Sequence, residues 1–323
     1  MKAIIYEKYG SVDRIKYTDV EKPIINDDSI LVKIHAASIN AMDIHILQGK
    51  PLPLRVITGI FKPKYQILGT DISGTIEDIG KNISSFKIGD EVFGQLSMKH
   101  EGGYAEYALM SPKQLTKKPA NATHSETASI PIAGLTALQA LRSAGVTENM
   151  KVLIYGASGG VGTFLIQIAK SLKANVTAVC STRNVNIAKK SKADIVIDYK
   201  KEEWYKEGIK YDAIIGVNGY NSLKKYRDSM TDNAIYVMVG GTTKQMIEMY
   251  FSKPIMRNKG KKQFLGFLTK GNKSDSKQLS KLLESKELSP HIDKEFALQD
   301  TKEAFKHFIA GKTIGKTIIK ILQ

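Results

Sequence analysis

Residues 151–162 (Lys-Val-Leu-Ile-Tyr-Gly-Ala-Ser-Gly-Gly-Val-Gly) are of types and spacing suited to holding a phosphate. A short run rich in Val, Ile and Tyr stops at a glycine cluster. An apolar stretch at helical spacing follows, through Val161, Leu165, Ile168 and Ala169. This reads as a strand, a tight turn and a helix N-terminus. Backbone N–H groups without intrahelical partners and the positive end of the helix dipole favour an anion at such a turn. Ala157-x-Gly159-x-x-Gly162 fits the dinucleotide fingerprint with alanine at the first glycine position, and Gly160 adds room for close approach.

The second chemical signal lies at the end of the next strand, where dinucleotide folds discriminate between cofactors. An acidic residue there binds the 2′-hydroxyl of NAD and repels a 2′-phosphate. Here the strand over 175–180 runs into Ser181-Thr-Arg-Asn, with no carboxylate. A serine hydroxyl can donate to a phosphate, and the Arg183 guanidinium can pair with it through charge-assisted hydrogen bonds. The expected cofactor is NADP(H), although the same residues also suit an ordinary polar loop.

Metal and thiol chemistry find little support. Cys180 is the only cysteine, which excludes an intrachain disulfide and fits a reducing cytoplasm. The six histidines (His35, His45, His100, His124, His291 and His307) show no ligand spacing with one another. No metal site is expected.

These residues need a scaffold, and the chain is long enough to supply one. Its 323 residues suggest about two domains with a sizeable core. Residues 1–120 read mostly as short strands with turn signals at Gly80, Gly89 and 102–103, a pattern that predicts a small, mostly antiparallel barrel. From 121 the rhythm changes, with helices over 125–141 broken at Pro131 and Gly134. Strands at 151–156, 175–180, 194–198, 211–217, 234–240 and 263–269 alternate with helices at 161–172, 184–191 and 221–230. This predicts an α/β, doubly wound parallel-sheet (Rossmann) cofactor domain. Beyond 271 come a helix over 276–283, a short strand, a helix over 301–309 and a terminal strand over 316–321.

Net charge is +16 with a pI near 9.5. The excess is mostly lysine spread along the chain, with short clusters such as 257–262, and reads as a solvated surface that also attracts an anionic cofactor. No apolar run reaches the roughly 20 residues that span a bilayer, and no targeting segment is visible, so a cytoplasmic protein without integral membrane association is expected. Peripheral association through lysine is a further alternative, although no basic amphipathic helix stands out.

Several motifs in order resemble one known group. They are 37–43 (Ala-Ser-Ile-Asn-Ala-Met-Asp), 68–74 (Leu-Gly-Thr-Asp-Ile-Ser-Gly), 86–94 (Phe-Lys-Ile-Gly-Asp-Glu-Val-Phe-Gly), 102–107 (Gly-Gly-Tyr-Ala-Glu-Tyr), 130–137 (Ile-Pro-Ile-Ala-Gly-Leu-Thr-Ala), the glycine turn and 311–316 (Gly-Lys-Thr-Ile-Gly-Lys). Over essentially its whole length the chain resembles the zinc-free, zeta-crystallin-like quinone oxidoreductases of the medium-chain dehydrogenase/reductase superfamily. The 180–183 turn and Asp198-Tyr199 are most similar to the branch that reduces α,β-unsaturated carbonyls. The resemblance implies a GroES-like, mostly β catalytic domain over 1–120, completed by 271–323, and a cofactor domain over 121–270. It also implies a homodimer joined edge to edge through the cofactor sheets.

The resemblance further implies roles for individual residues. Ser158, Gly159, Gly160 and Val161 wrap the cofactor pyrophosphate, and Tyr199 lies beside the adenosine phosphate or simply packs. Thr136, Gly240, Gly241, Phe267, Leu268 and Thr269 flank the nicotinamide half. Asn40 stands near nicotinamide and substrate, where an amide orients an acceptor carbonyl or, alternatively, caps a turn. Asp43 orders the loop. His45 departs from the lysine or tyrosine common in relatives, and is either a proton donor or a surface histidine. Residues 40–42 and 69–71 stand where zinc relatives carry their ligands. Without a Lewis acid, alcohol oxidation is disfavoured. The expected reaction is hydride transfer from NADPH to a quinone or an enone. A single-stranded RNA-binding protein and a structural, lens-type protein with little turnover are the rivals. The acceptor pocket is expected to be shaped by loops in the first 65 residues, including 51–53 and 57–63.

Overall fold

The computed structural model describes residues 1–97, 100–205, 208–256 and 261–322. Residues 257–260 of the basic cluster over 257–262 thus lie outside the described residues. The chain divides into two compact units: Met1–Ala133 with Gly271–Lys286 and Ile292–Gln323, and Gly134–Lys270 with Glu287–His291.

The first unit draws on both chain ends and is mostly β. Its sheet runs, in spatial order, Ile292–Ala297, Lys316–Lys320, Ile30–Ser38, Asp71–Ile79, Glu91–Gln95 and Leu115–Lys117, with Tyr107–Met110 also paired to Ile30–Ser38. Pairing is antiparallel except between the first two strands. Ile30–Ser38 is buried along nearly its whole length. Ile34, Ile72, Ile76, Val92, Leu47, Phe305 and Ile319 share one core with it. This is the GroES-like, mostly β fold.

A helix over Ala41–Gln48 interrupts the strand pattern. Asn40 is extended (φ −125°, ψ 159°), Asp43 stands at the third helical position, and Gly49 ends the helix in the left-handed region (φ 60°). Buried Ile46 and Leu47 anchor it to the core.

The second unit is a six-stranded parallel sheet in the order Ile195–Asp198, Asn175–Cys180, Lys151–Tyr155, Tyr211–Gly216, Met230–Met238 and Gln263–Gly266. That is the doubly wound dinucleotide-binding order. Helices lie over Gly160–Ser171, Val185–Lys190, Leu223–Asp228 and Thr243–Met256. The last is absent from the sequence reading, because 240–243 (Gly-Gly-Thr-Thr) signals a loop and Pro254 interrupts the pattern. The expected break at Gly134 does not occur. Pro131 opens a helix over Pro131–Ser143 that continues through Gly134, since proline suits a first helical turn.

Candidate active site

In the first unit a buried polar network forms around Asn40. The antiparallel register pairs Ile318 with Ser38, which sets Lys316 opposite Asn40. Lys316 Nζ donates to Asn40 Oδ1 at 2.6 Å and to the Ile39 carbonyl at 3.2 Å. Asn40 Nδ2 donates to Asp71 Oδ2 at 2.9 Å and to Thr70 Oγ1 at 3.3 Å. The cation on the amide oxygen fixes which way the amide faces.

Asp43 ties the same residues together from below. It accepts from the Asn40 backbone N–H at 2.7 Å, from Tyr104 Oη at 3.0 Å and from Thr70 Oγ1 at 3.2 Å. The Asn40 side chain does not return the capping bond, because it is spent on Lys316 and Asp71. Asp71 also accepts from the Ile132 N–H at 3.1 Å.

Electrostatics follow from burial. Asp43 and Asp71 are 0% exposed and Lys316 is 3% exposed. Desolvation pushes Asp43 up to about 7 and Asp71 up to about 6, and it holds Lys316 below the usual lysine value. Attraction between the ammonium and the two carboxylates opposes all three shifts. Such a cluster is strained by desolvation yet held by its own charges.

His45 stands apart from the network. It lies exposed on the Ala41–Gln48 helix, and its imidazole makes no hydrogen bond among the described residues. His35 and His124, by contrast, stack at 4.2 Å between ring centroids, a contact that their spacing did not announce. His124 Nδ1 meets Ser73 Oγ at 2.8 Å and Nε2 meets Glu91 at 3.0 Å. Burial first, then the neighbouring His35, lowers His124 to about 4. Of the segment expected to shape an acceptor pocket, Thr58 lines a small cavity with Tyr6, Ile46, Leu68 and Thr70.

In the second unit the expected cofactor residues gather at the carboxyl ends of the parallel strands. There, doubly wound sheets bind ligands. The helix over Gly160–Ser171 is capped by Gly159 with no side-chain bond, so the N–H groups of its first turn lack intrahelical acceptors. Gly156, just before the fingerprint position held by Ala157, lies in the left-handed region (φ 86°) and makes the tight turn. At Gly162 a Cβ would lie 2.5 Å from the carbonyl oxygen of Gly156, so helix and turn touch only because no side chain intervenes. Ser158 Oγ accepts from Asn184 Nδ2 at 2.8 Å, which links this turn to the next loop.

That next loop carries Ser181 and Arg183 around a short turn over Thr182–Asn184. Asp198, the carboxylate in register with Cys180, accepts the Lys200 N–H through Oδ1 at 3.0 Å, while its buried Oδ2 makes no hydrogen bond among the described residues. Tyr199 is 48% exposed, its ring 6.4 Å from that of Tyr155. Gly240 and Gly241 follow Met230–Met238, while Phe267, Leu268 and Thr269 follow Gln263–Gly266. Thr136 Oγ1 and Thr269 Oγ1 share a hydrogen bond of 2.6 Å. The structure therefore brings together Thr136 and Thr269, and Ser158 with the loop after Cys180. Burial pushes the Cys180 thiol up to about 11, so it is a protonated core residue. Lys316 and Tyr104 were not singled out from sequence, and Thr70 and Asp71 were named only within the 69–71 stretch that replaces zinc ligands. The signal available was their place in the motifs 68–74, 102–107 and 311–316, all of which follow the Asn40 segment in the chain.

This combination of folds defines a medium-chain dehydrogenase/reductase. The chain matches the alcohol dehydrogenase GroES-like domain over residues 26–120 and a zinc-binding dehydrogenase family over 191–319. It is 30% identical to a 2-methylene-furan-3-one reductase of Solanum lycopersicum, over 99% of this chain and 79% of that one. It is 32% identical to a mitochondrial NAD(P)H oxidoreductase of Bos taurus, over 100% and 89%. Among solved structures, the quinone oxidoreductase from Coxiella burnetii superposes with a TM-score of 0.89 at 29% identity, covering 100% of this chain and 99% of that one. The chain belongs to the zinc-free, zeta-crystallin-like quinone oxidoreductase family of that superfamily. It is an oxidoreductase of nicotinamide-cofactor type.

The residues do not fit a zinc ion, despite the name of one matching family. Zinc sites use thiolate, imidazole and carboxylate donors. Here an amide, a hydroxyl and a carboxylate meet a buried ammonium whose charge would repel a second cation. Among the described residues no group of three His, Cys, Asp or Glu side chains is placed to hold a metal.

Proposed function

We propose that this protein is an NADPH-dependent, zinc-independent reductase of quinones or α,β-unsaturated carbonyls. The observation that carries the reading is the Lys316–Asn40–Asp71 arrangement, a fixed hydrogen-bonding amide backed by a buried cation. A bound reduced nicotinamide supplies the hydride. Asn40 orients the acceptor: its 3.3 Å bond to Thr70 is the weaker of its two donations and the one an acceptor carbonyl replaces. Lys316, on the amide oxygen, strengthens that donor as negative charge develops on the carbonyl. Asp43 and Tyr104 hold the loop, and exposed His45 or water delivers the proton to the enolate.

The first turn of the Gly160–Ser171 helix, with Ser158, Gly159, Gly160 and Val161, binds the pyrophosphate. Ser181 and Arg183 take the 2′-phosphate, the reading supported by the absence of a carboxylate over 181–184. Tyr199 flanks the adenosine half. Thr136, Gly240, Gly241, Phe267, Leu268 and Thr269 flank the nicotinamide. Among the described residues Gln263–Gly266 pairs on one side only, which supports a homodimer joined at that sheet edge.

NADPH oxidation measured against a panel of quinones and 2-alkenals tests the proposal. Turnover on at least one class is expected. Binding of NADPH without turnover on any of them contradicts it.

A further inference from the structure

Residues 50–64 form a surface loop with short helical turns over Leu52–Leu54 and Arg55–Thr58, whose apolar side chains are exposed while its backbone is hydrogen-bonded in place. Leu52 is 69% exposed, Val56 77%, Ile60 61% and Phe61 93%. Tyr9 Oη donates to the Gly59 carbonyl at 2.6 Å, and the Lys64 N–H donates to the Thr58 carbonyl at 2.8 Å. Arg55 Nε donates to the Gly49 carbonyl at 3.0 Å with its guanidinium 4.5 Å above the Tyr9 ring. The loop is therefore built to present these side chains.

Cations interleave with them and carboxylates are missing. Lys50, Lys62 and Lys64 are exposed and Arg55 is half-buried, whereas residues 44–70 contain no Asp or Glu. The flanking acids, Asp43 and Asp71, are buried in the network. An exposed apolar cluster of this kind marks an interaction surface. Its charge selects the partner. A second copy would bring the same four cations against these, on a chain already at +16. An anionic bilayer surface offers acyl chains for Phe61, Val56 and Leu52 and phosphates for the lysines. Apolar insertion together with basic attraction is the pair of signals that peripheral binding needs.

We propose that the 50–64 loop docks this protein onto anionic membrane surfaces, with Leu52, Val56, Ile60 and Phe61 entering the interface and Lys50, Lys62 and Lys64 meeting the headgroups. No helix of the described residues is long and apolar enough to cross a membrane, so the contact is peripheral.

Co-sedimentation of the full chain with phosphatidylcholine vesicles, with and without phosphatidylglycerol, tests this at physiological salt. Binding is expected only with phosphatidylglycerol. It should fall about tenfold or more in Val56→Ser/Phe61→Ser and in Lys62→Glu/Lys64→Glu, exposed positions whose thermal melts should match wild type. Phe61→Trp supplies a second readout, because the single native tryptophan, Trp204, is buried. Its emission should shift to the blue with anionic vesicles and stay unchanged with neutral ones. Absence of vesicle binding overturns the proposal. So does binding that survives Val56→Ser/Phe61→Ser, or that single-stranded polynucleotide displaces from that variant as from wild type, since diffuse lysine charge is then responsible. A dimer in solution that Phe61→Ser dissociates also overturns it, because a second copy is then the occupant.

Discussion

Lys316 Nζ lies 2.6 Å from Asn40 Oδ1, joining two residues 276 positions apart in the chain. The bond exists because the C-terminal strand Lys316–Lys320 pairs beside Ile30–Ser38, and it decides what the Asn40 amide presents. A lysine buried among two carboxylates is costly unless each charge keeps its partners.

Removing that lysine charge leaves Asp43 and Asp71 facing each other without compensation. Lys316→Met should lower unfolding stability by about 3 kcal/mol or more, as leaving buried carboxylates without a compensating charge does. Lys316→Arg should recover most of the loss. Urea titration of the two variants and wild type reads both effects, and an unaltered Lys316→Met midpoint refutes them.

Asp43 sets a pH dependence. Its folded pKa, raised to about 7, lies above the unfolded value of about 3.9. Stability from this group is therefore fully present below pH about 4 and is lost as pH rises towards 7. Relative to Asp43→Asn, wild type should be most favoured near pH 4 and lose ground up to pH 7. His124, lowered to about 4, acts in the opposite sense: its contribution is present above its ordinary pKa and disappears as pH falls through 4. Comparing wild type with Asp43→Asn at each pH by thermal melting isolates the contribution of Asp43.

At the cofactor end, Arg183→Ala should raise KM for NADPH about tenfold or more while leaving KM for NADH nearly unchanged, as loss of one charge-assisted phosphate contact implies. Equal effects on both cofactors would remove the 2′-phosphate assignment from Arg183.

His45→Ala distinguishes a donor from a bystander. As proton donor, His45 contributes to kcat for enals, so its replacement should lower kcat about a hundredfold and change its pH profile. Unchanged kcat and pH profile assign the proton to water.

Much of the fold was legible because local patterning and tertiary structure agree. The strand over Asn175–Cys180 and the helix over Thr301–Ile309 stand where their apolar spacing puts them. The glycine turn was legible for the same reason, and Gly156 at its start is in the left-handed region. The Asn40 environment was legible only in part. Nothing in the spacing of Lys316 or Asp71 connects them to Asn40, because the connection is a sheet register between distant strands. The 41–48 helix is short and its apolar residues lack a clear stripe, so its caps were the only signal.

The most direct test of the account uses NADPH deuterated at C4, metal-stripped protein kept in chelator, and a 2-alkenal or quinone acceptor. The account predicts turnover, with deuterium on the β-carbon of the reduced alkenal when an alkenal is the acceptor. Turnover that returns only with added zinc, or an alkenal product carrying no label at that carbon, would contradict it.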